Sequence, residues 1–248
     1  MSPGPKVGLR VSMKGADAYL PCLRRAFPAP TAWYGPYGSF DPRFDYVLYV
    51  QNLDQQPLLR FLNFLKGTLL VQSALDEVWA LDMHMVNESE RTEIGEAVYR
   101  AKTYGPSHLG DPAVAEELAN LMGSRAAEHP GLCRADVVLG VPANPVKQPH
   151  NLPELLALGV SRSAGLPLEQ RLLVKVRPTE EIKDLPNEGK LDALAGAFEV
   201  TRPLRGEHVV LVDDLYFSGS TMGYLAGLLR EAGASSVVGV VATKTLRS

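Results

Sequence analysis

Apolar and polar positions in the second half of the chain alternate between short unbroken apolar runs and stretches with helical spacing. Asp136 to Val141 (DVVLGV) is such a run, closed by Pro142, and His208 to Val212 and Val237 to Ala242 (VVGVVA) are two more. Runs of this kind read as strands buried on both faces, the pattern of a parallel sheet. Between the last two lies TMGYLAGLLREAGA, in which Met222, Leu225, Leu228 and Leu229 recur at helical spacing and Gly233 supplies a stop. Strand, helix, strand predicts a βαβ crossover and so an α/β fold with a central, mainly parallel sheet flanked by helices. Upstream, Asp111 and Pro112 make an N-cap and first-turn pair for a helix through Val114, Leu118, Leu121 and Met122, and Leu152 to Ala164 reads as a second helix.

Elsewhere the pattern is weaker. Arg177 to Leu194 is polar, with few apolar anchors, and is expected to be a long loop of the kind that covers active sites. In the first ninety or so residues, Tyr46 to Val50 reads as a strand and Leu58 to Leu70 as a helix. The stretch Ala32 to Tyr46 is dense in aromatics, Gly and Pro. Its Trp33, Tyr34, Tyr37, Phe40 and Phe44 suit either a hood over a planar ligand or a satellite core.

Composition narrows the class. With 46% hydrophobic and 21% charged residues the chain is ordinary globular protein. A formal charge of -3 shows no basic excess that would advertise nucleic-acid binding, although a local patch fits within a balanced total. Cys22 and Cys133 stand far apart, so a disulfide framework is not expected and a reducing cytoplasm fits best. No signal-like or membrane-spanning run is read, which gives no membrane partner. The histidines (His84, His108, His129, His150 and His208) have no metal-ligand spacing.

The chemistry concentrates in Val209 to Met222, VVLVDDLYFSGSTM. A strand that ends in a loop and enters a helix is where α/β proteins bind ligands. Ser218, Gly219, Ser220 and Thr221 at the helix entrance offer backbone N–H groups, hydroxyls and the positive end of a helix dipole, which suit a phosphate. Asp213 and Asp214 would repel that phosphate, but carboxylates accept hydrogen bonds from the vicinal hydroxyls of a sugar. A sugar with a phosphate on one side and a diol on the other is ribose 5-phosphate. Paired acids at a strand end also occur in magnesium-binding receiver domains and phosphotransferases, and as simple solvated termini.

Asp213, Asp214, Ser218, Gly219 and Thr221 resemble, position by position, the 5-phosphoribosyl 1-pyrophosphate (PRPP) loop of type I phosphoribosyltransferases. Farther upstream, VPANPVK (Val141 to Lys147), NLPELLA (Asn151 to Ala157), RPTEEIKDL and KLDALAGAF are similar to segments of the ComF competence-protein phosphoribosyltransferases. The amidophosphoribosyltransferases share the same kind of domain. The likeness runs from about Ala97 to Ala242 and departs from ComF at Ile182, Lys190 and Ala193, in the short turn from Pro145 to Asn151, and in lacking a cysteine zinc module.

What the resemblance implies follows from those positions. The fold is that of a type I phosphoribosyltransferase, with an N-terminal extension or hood-like subdomain over 1–92 and the transferase domain over 93–248. The activity is transfer of ribose 5-phosphate from PRPP to a nitrogenous acceptor, with Mg²⁺ and release of pyrophosphate. Asp213 and Asp214 are the catalytic pair, Phe217 to Thr221 the 5-phosphate loop, and Ala143, Asn144 and Lys147 the pyrophosphate loop. Lys175, Arg177, Lys183 and Lys190 are the cations of a closing loop, and no direct protein ligand to the metal is required. Phe217 replaces the Asp of 6-oxopurine enzymes and cannot serve a purine N7, which disfavours that acceptor class. Tyr216 and Phe217 suit either stacking on a planar acceptor or packing beneath the loop. A homodimer follows by analogy only. A non-catalytic sensor of PRPP or nucleotides, or an accessory protein of DNA uptake or processing, stands as the alternative on the same fold.

Overall fold

The structure is a computed structural model that describes residues 7–12, 16–27, 32–36, 44–50, 55–102, 110–143, 151–179 and 187–245. It divides into two compact units, one formed by residues 1–66 with 128–131 and the other by 67–127 with 132–248.

The first unit contains β1 (Val7–Ser12), α1 (Ala16–Ala26), β2 (Ala32–Pro36), β3 (Phe44–Val50) and α2 (Gln55–Lys66). Among the described residues its strands form an antiparallel sheet in the order β1-β3-β2. Leu23, Phe27, Leu58, Phe61 and Phe64 are buried. The His129 ring stands edge-on to Phe61 and Phe64, at 5.1 and 4.8 Å between centroids, the favourable arrangement for aromatic quadrupoles. The helix expected to reach Leu70 stops at Lys66, and Leu69 and Leu70 form a short strand of the second unit instead. Tyr37 and Phe40 of the aromatic segment lie outside the described residues.

The second unit runs β4 (Leu69–Leu70), β5 (Glu77–Met83), α3 (Glu93–Ala101), α4 (Pro112–Ala127), β6 (Val137–Gly140), α5 (Leu152–Ala164), β7 (Leu173–Lys175), α6 (Asn187–Leu194), β8 (Phe198–Val200), β9 (His208–Tyr216), α7 (Ser220–Glu231) and β10 (Ser236–Lys244). Its sheet has the order β4-β5-β10-β9-β6, with β5, β10, β9 and β6 parallel and β4 antiparallel at one edge. Every residue of β6, and Val237 to Thr243 of β10, is buried, as strands covered on both faces must be. Val78, Trp79 and Ala80 place β5 in the same core. Its acids mask the apolar pattern: Glu77 is buried and its Oε2 accepts from the Trp79 indole N–H at 2.9 Å.

Helix α4 opens as the Asp-Pro pair predicts, with Asp111 Oδ1 accepting from the N–H groups of Ala113 and Val114 at 3.1 and 3.3 Å. Helices α4 and α5 touch at backbone distance, because a Cβ on Gly159 would lie 2.1 Å from the Ala119 carbonyl oxygen. Helix α7 buries Met222, Leu225, Ala226 and Leu229, as its spacing requires.

Two expectations are corrected here. Strand β9 does not end at Val212 but continues to Tyr216, since β10 runs on beside it and pairs Leu215 with Thr243 and Tyr216 with Lys244. The segment from Arg177 to Leu194 is not loop throughout: its last part is α6, which packs beside α7 and buries Leu194. Among the described side chains of this helix only Leu194 is buried, too sparse a pattern to leave an amphipathic signature.

Candidate active site at the end of strand β9

Strand β9 delivers two acids in succession, and the turn after it starts α7. Together with Lys102, the run from Asp213 to Met222 lines a cleft of about 200 Å³. Successive residues of a strand send their side chains to opposite faces, so the two carboxylates meet different surroundings although they are neighbours. Asp214 is buried, and its Oδ1 accepts from Lys102 Nζ at 2.7 Å. Asp213 is half-buried, and its Oδ1 accepts from the Asp214 backbone N–H at 2.8 Å. Burial, and after it the Asp214 charge, push the Asp213 carboxyl up to about 8, while Lys102 and the Asp214 N–H pull it the other way. At neutral pH Asp213 therefore favours its protonated form, while Asp214 is paired with Lys102.

The backbone behind the pair is also held. The Asp214 carbonyl accepts from Thr243 Oγ1 at 3.3 Å, and that hydroxyl lies 3.1 Å from His84 Nδ1 at the end of β5. Beyond the acids, Thr245 holds the turn from β10: its N–H donates to the Tyr216 carbonyl at 3.1 Å and its Oγ1 to the Phe217 carbonyl at 3.2 Å.

The turn needs glycine at 219 for two reasons. Gly219 has φ of 76°, in the left-handed region, and a Cβ there would sit 2.1 Å from the Tyr216 hydroxyl. Tyr216 is buried beneath the turn among core residues, so of the two arrangements open to it, it takes the packing one. Its burial pushes its phenol up, with a hydrogen bond to Ser73 opposing. Phe217 lines the cleft. The Ser218 and Ser220 hydroxyls lie 2.9 Å apart, and Gly223 N–H closes the first turn of α7 on the Gly219 carbonyl at 2.7 Å. The N–H groups ahead of it belong to the helix start, where no intrahelical acceptor exists, and face the positive end of the dipole. An anion is the chemical complement of that end of the cleft.

The structure thus brings together Asp213, Asp214 and Phe217 to Thr221, and adds Lys102. No local pattern marks Lys102 in the sequence, since it is one lysine following a short helix and meets its partner 112 positions away. Of the remaining expected residues, Ala143, Lys175 and Arg177 are not among those lining the cleft. Lys175 Nζ donates to Thr179 Oγ1 at 2.8 Å and lies 5.2 Å from the Phe198 ring centroid, and burial followed by the Arg177 charge holds its pKa down. Arg177 Nη2 donates to the Ala195 and Ala193 carbonyls at 2.6 and 3.3 Å. Lys190 belongs to α6, and Ala143 follows β6. Asn144, Lys147, His150 and Lys183 lie outside the described residues. Among the described residues no cluster of three or more His, Cys, Asp or Glu could hold a metal ion, and no helix is long and apolar enough to cross a membrane.

No family model matches the chain. Among curated proteins it is similar to amidophosphoribosyltransferase 1, chloroplastic, of Arabidopsis thaliana, at 34% identity over 119 residues, covering 45% of this chain and 18% of that protein. The amidophosphoribosyltransferase of Bacillus subtilis (strain 168) is 31% identical over 110 residues, covering 42% and 20%. The DNA utilization protein YhgH of Salmonella typhi is 31% identical over 87 residues, covering 35% and 38%. The chain thus spans well under half the length of each of these relatives. Among solved structures, the glutamine PRPP amidotransferase of B. subtilis complexed with ADP and GMP aligns with a TM-score of 0.41 at 26% identity, over 59% of this chain and 30% of that one. With its central, mostly parallel sheet and its acid pair leading into a Ser-Gly-Ser-Thr turn, the chain has the type I phosphoribosyltransferase fold, and over somewhat under half of its length it is similar in sequence to amidophosphoribosyltransferases.

Proposed function

We propose that this protein is a PRPP-dependent phosphoribosyltransferase, a pentosyl-transferring glycosyltransferase that joins ribose 5-phosphate to a nitrogenous acceptor and releases pyrophosphate. The observation that carries the reading is a single cleft containing Asp213, Asp214 and the start of α7. The α7 end, with the Ser218, Ser220 and Thr221 hydroxyls, binds the 5-phosphate. The acid pair accepts hydrogen bonds from the ribose hydroxyls and orients the sugar ring. As the bond from C1 to the pyrophosphate oxygen breaks, its electron pair leaves with pyrophosphate and the acceptor nitrogen bonds to C1. Positive charge that develops on the ring is stabilised by the nearby carboxylate of Asp214.

Two carboxylates, one already held by an ammonium, fit hydroxyls rather than a protein-built metal cage. A magnesium ion suits this donor set if it is carried by the donor's own pyrophosphate and hydroxyl oxygens, where it supplies charge neutralisation to the leaving group. Lys175 and Arg177, at the start of the excursion between β7 and β8, and Lys190 within it are proposed to attend the pyrophosphate. Ala143, with Asn144 and Lys147, is proposed for the pyrophosphate loop. Phe217 in the cleft supports an acceptor that requires no proton transfer from that position.

Calorimetric titration with PRPP and Mg²⁺ tests the reading. Wild-type protein should bind, and the double substitution Asp213→Asn with Asp214→Asn should abolish binding. Undiminished binding by that variant would overturn the proposal, and binding without pyrophosphate release across a panel of bases and amines would replace catalysis by sensing.

A further inference from the structure

The Lys102–Asp214 pair lies inside the cleft, yet an ammonium is an unexpected neighbour for a carboxylate that serves a cationic transition state. Its placement is built rather than incidental. Helix α3 is fixed to the end of β5 by Thr92, whose Oγ1 donates to the Met83 carbonyl at 2.6 Å and accepts from the Gly95 N–H at 2.9 Å. Gly95, Val98 and Ala101 bury its inner face. Lys102 is the C-cap: its N–H still donates to the Val98 carbonyl, but its backbone turns extended, with φ of -86° and ψ of 155°, and leaves the helix. The side chain is only 11% exposed, and that of Asp214 only 10%. An ammonium and a carboxylate at 2.7 Å with so little solvent are far more tightly held than a surface pair.

We propose that Lys102 is a positioning residue that dedicates the Asp213–Asp214 pair to neutral hydroxyls and keeps it from becoming a divalent-cation site. Adjacent carboxylates without a resident cation attract a metal ion directly. With Lys102 on Asp214 Oδ1, that oxygen is occupied, the charge of the pair is largely balanced, and a bare divalent ion meets like-charge repulsion from the ammonium. A sugar hydroxyl meets no such repulsion and still finds lone pairs on a carboxylate whose orientation is fixed. The proposal rests on the donor-site reading for the identity of the hydroxyls, but its claim about cations does not.

The test therefore has two arms, run on the full chain. In the first, Mn²⁺ alone is titrated and followed by electron paramagnetic resonance. Lys102→Met removes the charge while keeping the aliphatic length, and should bind Mn²⁺ at least about tenfold more tightly than wild type, as expected when a cation is taken from a carboxylate pair. Lys102→Arg should behave like wild type. Lys102→Gln retains a hydrogen-bond donor without charge; it should also gain Mn²⁺ affinity, and it serves if the methionine variant does not fold. In the second arm, ribose 5-phosphate is titrated without metal, and the neutral variants should bind it several-fold more weakly while the arginine variant retains it. Unchanged Mn²⁺ affinity in the folded neutral variants would overturn the proposal. Failure of wild type to bind ribose 5-phosphate would remove the donor-site reading and leave the Mn²⁺ result standing. A merely structural lysine would lower stability without creating a metal site.

Discussion

Replacing Asp213 by Asn keeps the oxygen that accepts from the Asp214 N–H and removes the charge, so it isolates the cost of ionising this position. In the unfolded chain an Asp titrates at 3.8, whereas in the fold burial and the Asp214 charge push this one to about 8. Between those values the native state holds a proton that the unfolded state has lost. Stability of the wild type therefore falls as pH rises through that window: no penalty exists below the unfolded value, and the penalty is complete above the folded one. One proton corresponds to at most ~1.4 kcal/mol per pH unit, so from pH 5 to pH 7 wild type can lose up to roughly 3 kcal/mol relative to Asp213→Asn. For a chain of this size, at about 2–4 °C per kcal/mol, the melting-temperature gap should widen by several degrees over that interval. Thermal melts of both proteins in matched buffers from pH 5 to 8 measure it. The variant should be the more stable protein at pH 7 and the weaker PRPP binder, the usual trade at a site that keeps a charge partly out of water. A gap that stays constant with pH, or widens toward acid, would refute the assignment of the raised carboxyl to Asp213.

The backbone carries two more expectations. Gly219→Ala forces a left-handed residue and a clash with Tyr216, which should lower stability by about 2 kcal/mol or more and abolish binding of a phosphate-bearing ligand; unchanged calorimetric binding would show that the turn is not the phosphate site. Gly159→Ala would drive a methyl group into the Ala119 carbonyl and separate α4 from α5, so its denaturation midpoint should fall by an amount equivalent to about 2 kcal/mol or more, and an unshifted midpoint would mean that the helices do not meet at backbone distance.

Much of the second unit was legible because local chemistry and burial agree there. Apolar runs at 137–140 and 237–242 are strands buried on both faces, Asp111-Pro112 does cap a helix, and Leu152 to Ala164 is α5 over that same range. Strand β5 was hidden because Glu77 and Asp82 interrupt its apolar pattern, and the burial of Glu77 is made tolerable by the Trp79 indole two residues away. The extension of β9 was hidden for another reason: Asp213 and Asp214 read as a strand terminus until β10 is placed alongside them.

From the sequence alone came the spacing of two acids and a Ser-Gly-Ser-Thr turn at the end of an apolar run, since that arrangement is a property of neighbouring residues and of the strand and helix that they join. Tertiary structure decided how the two acids differ. Their unequal burial, the proton held by Asp213 and the Lys102 ammonium on Asp214 all depend on packing α3, β5 and β10 around the end of β9. Charge interactions across a fold act through distance and exclusion of water, and neither quantity is written in the local order of residues.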